Sequence, residues 1–524
     1  MDFVKRISVI SEIKKCLGFK RSRRRVYSTL KNTEWKPVVG LEIHAQIQSA
    51  SKLFSGAGTD FCSSTNKSVA LFDAAFPGTL PVLNQQCVKA GVLTALALSC
   101  DLNEVSSFDR KHYFYSDLPA GYQITQQRSP LARNGILKFV VYKGGENARL
   151  YETSSQIHQI QLEQDSGRSL HDKDRSLVDL NRAGLPLMEL VFKPDISDGE
   201  EAASLVKELC LILTRLGTCS CKMEEGALRV DANVSVHKEG TPLGARTEVK
   251  NIGSIRAVAN AIDFEIARQI KLLHNGQEVI NETRSWDSET LKTVPMRDKE
   301  EKQDYRFMPE PNLPPLHLRM RESQPSHPHM VDVLALKNKI PESPFEMRQR
   351  YQKEYNISLL QAVRLVNEDA LLPLFAEAMS DKKDRNATIL TNLLLNDILT
   401  VLNENSEIVF MVRDVGCITD MLDSGIISKS IARSIIAELA QGSNMSANEI
   451  VAKKGWSLIS DQEVLEDLCR CAIQENEKIL KKHVSGKKNG IEAFAKIVWK
   501  KTDGRANMKL VKEWFQKNLP YAGK

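Results

Sequence analysis

The sequence predicts an α+β chain: a mixed or antiparallel-sheet domain first, then two small all-α domains. Three observations lead there. Val39, Leu41, Ile43, Ala45 and Ile47 alternate with Gly40, Glu42, His44, Gln46 and Gln48, the period of a strand with one buried and one polar face. Leu228, Val230, Ala232, Val234 and Val236 alternate with Arg229, Asp231, Asn233 and Ser235 in the same way. Beyond Pro341 the strand signals fade, and Ile389, Leu390, Leu393, Ile398 and Leu402 recur at helical spacing.

Taken in order, the first strand carries chemistry on its polar face. Residues two apart on a strand project the same way, so Glu42 and His44 stand side by side. A carboxylate beside an imidazole can hold a divalent cation or transfer a proton; for these two residues alone, a solvated strand face with an incidental ion pair is the commoner case. In Asn181–Phe192 a Gly-Pro turn opens an apolar run with one acid, Glu189, which needs a cation or donors nearby if it is buried. Arg229, Asp231 and Asn233 add a third polar row. Three such strands together suggest a sheet-floored cation and phosphate site. Ala257–Leu273 reads as a helix, with Val258, Ile262, Ile266 and Ile270 on one side. Met308–Pro315 is too proline-rich for a helix or an inner strand and marks a domain exit. The expected division is a sheet domain over 38–316, a linker over 317–337, a helical domain over 338–405 and a second over 406–524.

Composition narrows the class. With 524 residues, 42% hydrophobic and 26% charged, the chain has room for several packed domains, and no apolar run approaches a membrane span. Ten cysteines, close only as Cys219/Cys221 and Cys469/Cys471, show neither zinc spacing nor a disulfide framework and read as free thiols in a reducing compartment. No glycine-rich phosphate loop of the P-loop or dinucleotide type is present.

The net charge of +6 is unevenly placed. Residues 1–27 hold nine Lys or Arg against Asp2 and Glu12, and the remainder carries 63 basic and 64 acidic residues. This segment is Arg-rich and carries a helical apolar stripe, the composition of a mitochondrial transit peptide cleaved after Tyr27; a basic nucleic-acid arm is the alternative. Lys478–Lys524 holds thirteen Lys or Arg against three acids, the electrostatic footprint of nucleic-acid binding, although a solvated lysine-rich face has the same composition.

Longer motifs add a resemblance. GLEIHAQI (Gly40–Ile47), FPGTLPVLN (Phe76–Asn84), FDRKHYFYSDLPAGYQITQ (Phe108–Gln126), LVDLNRAGLPLMELV (Leu177–Val191), EEGALRVDANVSV (Glu224–Val236), RTEVKNIGSIR (Arg246–Arg256) and MRDKEEKQDYRFMPEPNLPPL (Met296–Leu316) resemble, in order, the B subunit of the glutamyl-tRNA(Gln) or aspartyl-tRNA(Asn) amidotransferase. The resemblance implies a cradle similar in outline to glutamine synthetase. Its implied reaction uses ATP and Mg²⁺ to phosphorylate the side-chain carboxylate of glutamate on tRNA(Gln), and ammonia then displaces phosphate. It also implies two partners, the glutaminase of the amidase type and a small third component, since this chain lacks an amidase signature. A tail domain that meets the tRNA body is implied as well.

Carried over by position, the resemblance makes Glu42, His44 and Glu189 metal-site residues. Where relatives show a His-x-Glu-Glu-Asp run, this chain reads Gln161-Leu162-Glu163-Gln164-Asp165, so Gln164 is expected at the fourth ligand position, with an amide in place of a carboxylate. Lys111 is the candidate phosphate contact and Tyr113 the candidate for stacking on the terminal adenosine. Asp231 and Asn233 are candidates for contacts to metal or its water, and Arg229 and Lys250 for phosphate. The loss of charge at Gln164 leaves room for a tRNA-binding adaptor without the phosphorylation step. A free-standing carboxylate–amine ligase acting on a small acid is a further rival, and the basic tail argues against it.

Overall fold

The computed structural model describes residues 34–519, apart from 145–148, 173, 297–304, 326, 328–329, 406 and 485–489. The expected transit peptide therefore lies outside the described residues. Two compact units divide at Phe345/Glu346.

The first unit is built on a nine-stranded sheet. Its spatial order is Lys292–Pro295, Thr283–Asp287, Thr247–Lys250, Leu228–Lys238, Trp35–Gln46, Pro186–Phe192, Arg149–Gln164, Ala132–Lys143 and Asp101–Leu102. All neighbours run antiparallel except Thr247–Lys250 with Thr283–Asp287, which are parallel. The two alternating segments thus become adjacent central strands, and Val39, Leu41, Ile43, Val230, Ala232 and Val234 are all buried. Burying each of the larger side chains contributes about 1.5–3 kcal/mol, which pins the register, since a slip of one residue would turn the polar row into the core.

The helices Gly199–Leu216 and Ile255–His274 bury Leu205, Leu209, Leu213, Val258, Ile262 and Ile266 in the core shared with the sheet's apolar face. Each starts at a side-chain cap, Asp198 accepting from the N–H groups of Glu200 and Glu201, and Ser254 from that of Ala257. Gly199 is required by the helix pair: a Cβ there would lie 2.2 Å from the Ala259 carbonyl oxygen. With the apolar face covered, the opposite face of the sheet is left to polar side chains. Along one side of it lies a three-stranded sheet of Arg306–Pro309, Asp109–His112 and Tyr122–Thr125. It is tied down by Gln123 Nε2, which donates to the Gln164 carbonyl at 2.7 Å, and by Gln161 Nε2, which donates to Thr125 Oγ1 at 3.1 Å.

Two expected boundaries move. The segment 317–337 is not a linker: Leu316–Arg319 pairs with Val105–Ser106 and with Val331–Asp332, and Leu318, Val331, Val333 and Leu336 enter the sheet domain's core. Leu316 and Leu318 alternate as strand residues, but the polar and proline-rich flanks hide so short a strand. The division at 405/406 also fails, because one helical core joins Leu390, Leu393 and Leu394 to Val415, Ile418, Ile431 and Ile435 and runs from Tyr351 to Val451. A second core spans Leu465–Leu519. Arg385, buried and bonded to Asp420 at 3.0 Å, ties the two sides of the expected cut together. The predicted helix near 388–402 forms as Ala387–Leu393, a π-helical turn Leu394–Ile398 and Leu399–Glu404.

Candidate metal and phosphate site

Strand register assembles the polar face row by row. In an antiparallel pair, residues directly opposite project to the same side. His44 lies opposite Glu189 on one neighbour and Arg229 on the other, and Glu189 lies opposite Gln161. One step along, Glu42 faces Asp231; the next step pairs Gly40 with Asn233. Glu163, two residues beyond Gln161 on the same strand, projects with it.

Three of these side chains converge. His44 Nε2 lies 3.4 Å from Glu163 Oε1. One ligand atom from each of His44, Glu163 and Glu189 lies within 4.8 Å of the other two, the one such cluster among the described residues. Gln161 Nε2 donates to Glu189 Oε2 at 2.5 Å, and Gln161 Oε1 accepts in turn from Gln159, so a chain of amides fixes the carboxylate from behind. Glu42 stands on the same face outside the trio, where its Oε1 accepts from Asn233 Nδ2 at 2.9 Å.

The electrostatics are those of acids crowded without enough positive charge. Burial and then the charge of Glu163 push Glu189 up to about 7, against the pull of His44 and Lys111. Burial would lower His44, but its hydrogen bond to Glu163, followed by the charges of Glu163 and Glu189, pushes it up to about 9. Glu163 is itself held below the usual carboxylate range: burial opposes this, and the hydrogen bond and charge of His44, then Lys111 and Arg229, outweigh it. Two carboxylates crowded against one imidazole suit a divalent cation, which would satisfy both acids at once.

Basic groups ring the trio. Arg229 Nη2 meets Asp165 Oδ2 at 3.0 Å, while its Nε is buried with no hydrogen-bond partner. Lys250 Nζ lies 3.2 Å from Glu248 Oε1 and 3.5 Å from Asp231 Oδ2; burial opposes its charge, and these two acids outweigh burial and raise it. Lys111, on the small sheet, holds its ammonium 4.5 Å from the centre of the Tyr305 ring and 5.9 Å from that of Tyr113. Tyr113 is packed edgewise against Tyr115 and Tyr305 and donates to Gln123 Oε1 at 3.3 Å. Next to it, Phe114 is 86% exposed.

One residue expected as a ligand lies off the face of the trio. Gln164 pairs with Pro186 and alternates with Glu163, so its side chain turns to the apolar face with Ile160 and Leu162, and it does not join the trio. Glu163 clusters instead with His44 and Glu189, and Asp165, also unforeseen, joins the polar face through Arg229. The signal was present: Ile160 and Leu162 have to be buried, and alternation then assigns 161, 163 and 165 to the wet face.

Comparison with known proteins places the chain in a family. Residues 37–323 match the family model described as "GatB/GatE catalytic domain", and residues 374–519 match a "GatB domain". The chain is 52% identical over 501 residues to the B subunit of the mitochondrial glutamyl-tRNA(Gln) amidotransferase of Aedes aegypti, covering 93% of this chain and 95% of that protein. The corresponding human protein is 46% identical, covering 93% and 89%. The B subunit of the aspartyl/glutamyl-tRNA(Asn/Gln) amidotransferase of Rickettsia typhi is 39% identical, covering 93% and 98%.

Proposed function

The chain belongs to the GatB family of amidotransferase B subunits, and on that premise we propose that its polar sheet face phosphorylates the side-chain carboxylate of Glu-tRNA(Gln) at the expense of ATP and hands it to ammonia. It is a mitochondrial component of a heteromeric, glutamine-hydrolysing carbon–nitrogen ligase that serves protein synthesis. The partners in this reading are an amidase-type glutaminase, which frees the ammonia, and a small third component of the complex. No helix among the described residues is long and apolar enough to cross a membrane.

The observation that carries the reading is the convergence of His44, Glu163 and Glu189 within a ring of basic groups. These three would hold Mg²⁺, which when bound neutralises charge on phosphate oxygens. The remaining work falls to the chain's own groups. Lys111 and Arg229 stabilise the charge that grows on the transferring phosphoryl group, and the partnerless Nε of Arg229 is a donor already desolvated for that purpose. Asp231 and Glu248 hold Lys250 charged at the rim. Gln161, Thr125 and Asn233 keep the acids oriented so that no reorganisation accompanies the transfer. Tyr113 and exposed Phe114 offer ring surface to the terminal adenosine. The adaptor reading rested on Gln164, and with that residue turned to the core nothing in the site favours it.

The test is conversion of Glu-tRNA(Gln) to Gln-tRNA(Gln) by the reconstituted complex with glutamine, with and without ATP. Product only with ATP, and stoichiometric ADP, is expected. Amidation that proceeds without ATP would overturn the proposal.

A further inference from the structure

The proposed reaction leaves Asp165 without work, although this acid is only 6% exposed and is fixed from both sides. Its backbone N–H donates to the Leu185 carbonyl at 2.9 Å, and its carbonyl accepts from the Gly184 N–H at 2.8 Å. Gly184 cannot move or be replaced cheaply. Its φ is +83°, and a Cβ there would lie 2.8 Å from Asp73 Oδ1, whose partner oxygen Oδ2 accepts from the fully buried Lys52 ammonium at 3.0 Å. Arg182 pins the residues that follow, donating from Nε to the Ser166 carbonyl at 3.0 Å and from Nη2 to the Gly167 carbonyl at 2.6 Å. The backbone therefore aims the Asp165 carboxylate, which is divided between two donors. Oδ1 accepts from the Ser166 N–H at 2.9 Å, and Oδ2 meets Arg229 Nη2 at 3.0 Å.

This grip on Arg229 uses one nitrogen in place of the two-point fork common between a guanidinium and a carboxylate, and it leaves Nε buried with no hydrogen-bond partner. Without the grip, the guanidinium has other acids to turn to. Burial opposes the Arg229 charge, and after Asp165 the acids that outweigh burial are Glu163 and Asp231. A guanidinium released toward Glu163 would neutralise an acid of the trio and spend its free donor there. We propose that Asp165 is a positioning residue for phosphoryl transfer: anchored by the turn at 182–185, it holds the Arg229 guanidinium beside the trio with Nε free for a phosphate oxygen. The inference rests on the reading of this sheet face as the site of ATP-dependent phosphorylation. The role needs a carboxylate, whose oxygens only accept. An amide of the same size has one donor arm, which would face either the Ser166 N–H or Arg229 Nη2, donor against donor.

The test is a double-mutant cycle on the reconstituted complex. ADP formed from ATP and Glu-tRNA(Gln) is the readout, and glutamine hydrolysis by the partner checks assembly. Asp165→Asn should lower kcat about 10- to 100-fold. KM for Glu-tRNA(Gln) should stay within about twofold, because a group placed for the transition state moves kcat and kcat/KM together. In an Arg229→Ala background the same substitution should cost no more than about twofold further, since Asp165 then has no guanidinium to hold. Losses that multiply in the double variant, or a loss confined to KM, would overturn the proposal while leaving ATP-dependent phosphorylation standing. A wild-type complex that forms no ADP would remove that reading and this one with it. If Asp165→Asn does not assemble, Arg229→Ala alone decides, with Asp165 in place: added guanidinium ion should restore ADP formation saturably, and an equal effect from tetramethylammonium would overturn the proposal.

Discussion

The sheet basin and the helical tail are both rich in charge, and they handle it in opposite ways. In the basin Glu163 and Glu189 are withdrawn from water and crowd together around one imidazole, at a cost that only a bound charge removes. In the tail, acids and lysines pair on exposed helix faces, as in Lys481 with Glu477 at 3.3 Å and Lys512 with Glu492 at 2.7 Å. Such surface pairs are worth little to stability, so the tail's excess of lysine is free to act at longer range. A buried, underpaired cluster points to one ligand in one place, whereas a solvated excess points to a polyanion met through many weak contacts.

The sharpest way to break the contrast is to remove one acid from the basin. Glu163→Gln should cut ATP-dependent amidation by roughly 100- to 1,000-fold while glutamine hydrolysis by the partner largely persists. Glu42→Gln, outside the trio and bonded to Asn233, should cost less, about 10- to 100-fold. Equal losses from the two substitutions, measured as ADP release in single turnover, would show that the trio is no special unit.

Proton competition gives the next largest effect. His44 and Glu189 both have raised pKa values, about 9 and about 7, so the cation-free fold holds protons that the unfolded chain has released. Their contribution to stability is therefore present at low pH and lost as pH rises through 7 and then 9. A cation has to displace those protons, so its affinity should climb by up to about tenfold per pH unit until His44 is neutral. Thermal melts with and without Mg²⁺ should show a larger stabilising shift at pH 8.5 than at pH 6.5. The same shift at both would separate the cation from these two groups.

How much of this was legible in the sequence differs between the two regions for a physical reason. Alternation over nine or more residues placed Val39–Ile47 and Leu228–Val236 as central strands and brought Glu42, His44, Arg229 and Asp231 to one face, because a period of two on a buried sheet admits one register. The same alternation, continued into Gln161–Asp165, puts Glu163 on the polar face, whereas position-by-position matching to a His-x-Glu-Glu-Asp run points to Gln164. Cross-strand contacts such as Lys111 with Tyr305 join residues far apart in the chain, and no local pattern reveals them. In the tail, helical periodicity marks each helix but not which helices share a core. The cut at 405/406 therefore fell between Leu394 and Val415, which pack together.

Truncation at residue 405 would strip Val415, Ile418 and Ile431 from a core that the remaining helices need, so single substitutions are the cleaner tool. Lys500→Gln or Lys509→Gln should weaken binding of Glu-tRNA(Gln) only a few-fold and reduce the log–log salt slope by about one unit if that lysine meets a phosphate. Turnover at saturating tRNA should stay unchanged. Wild-type slopes in a set of such variants would mean the lysines merely solvate the helices.

The central claim, that His44, Glu163 and Glu189 hold the cation while Gln164 faces the core, is tested most directly by titrating the complex with Mn²⁺ as a paramagnetic stand-in for Mg²⁺. The account predicts a site in the wild-type chain that is lost in Glu163→Gln and retained in Gln164→Leu. A Mn²⁺ site unaffected by Glu163→Gln, or abolished by Gln164→Leu in a complex that still melts cooperatively, would contradict it.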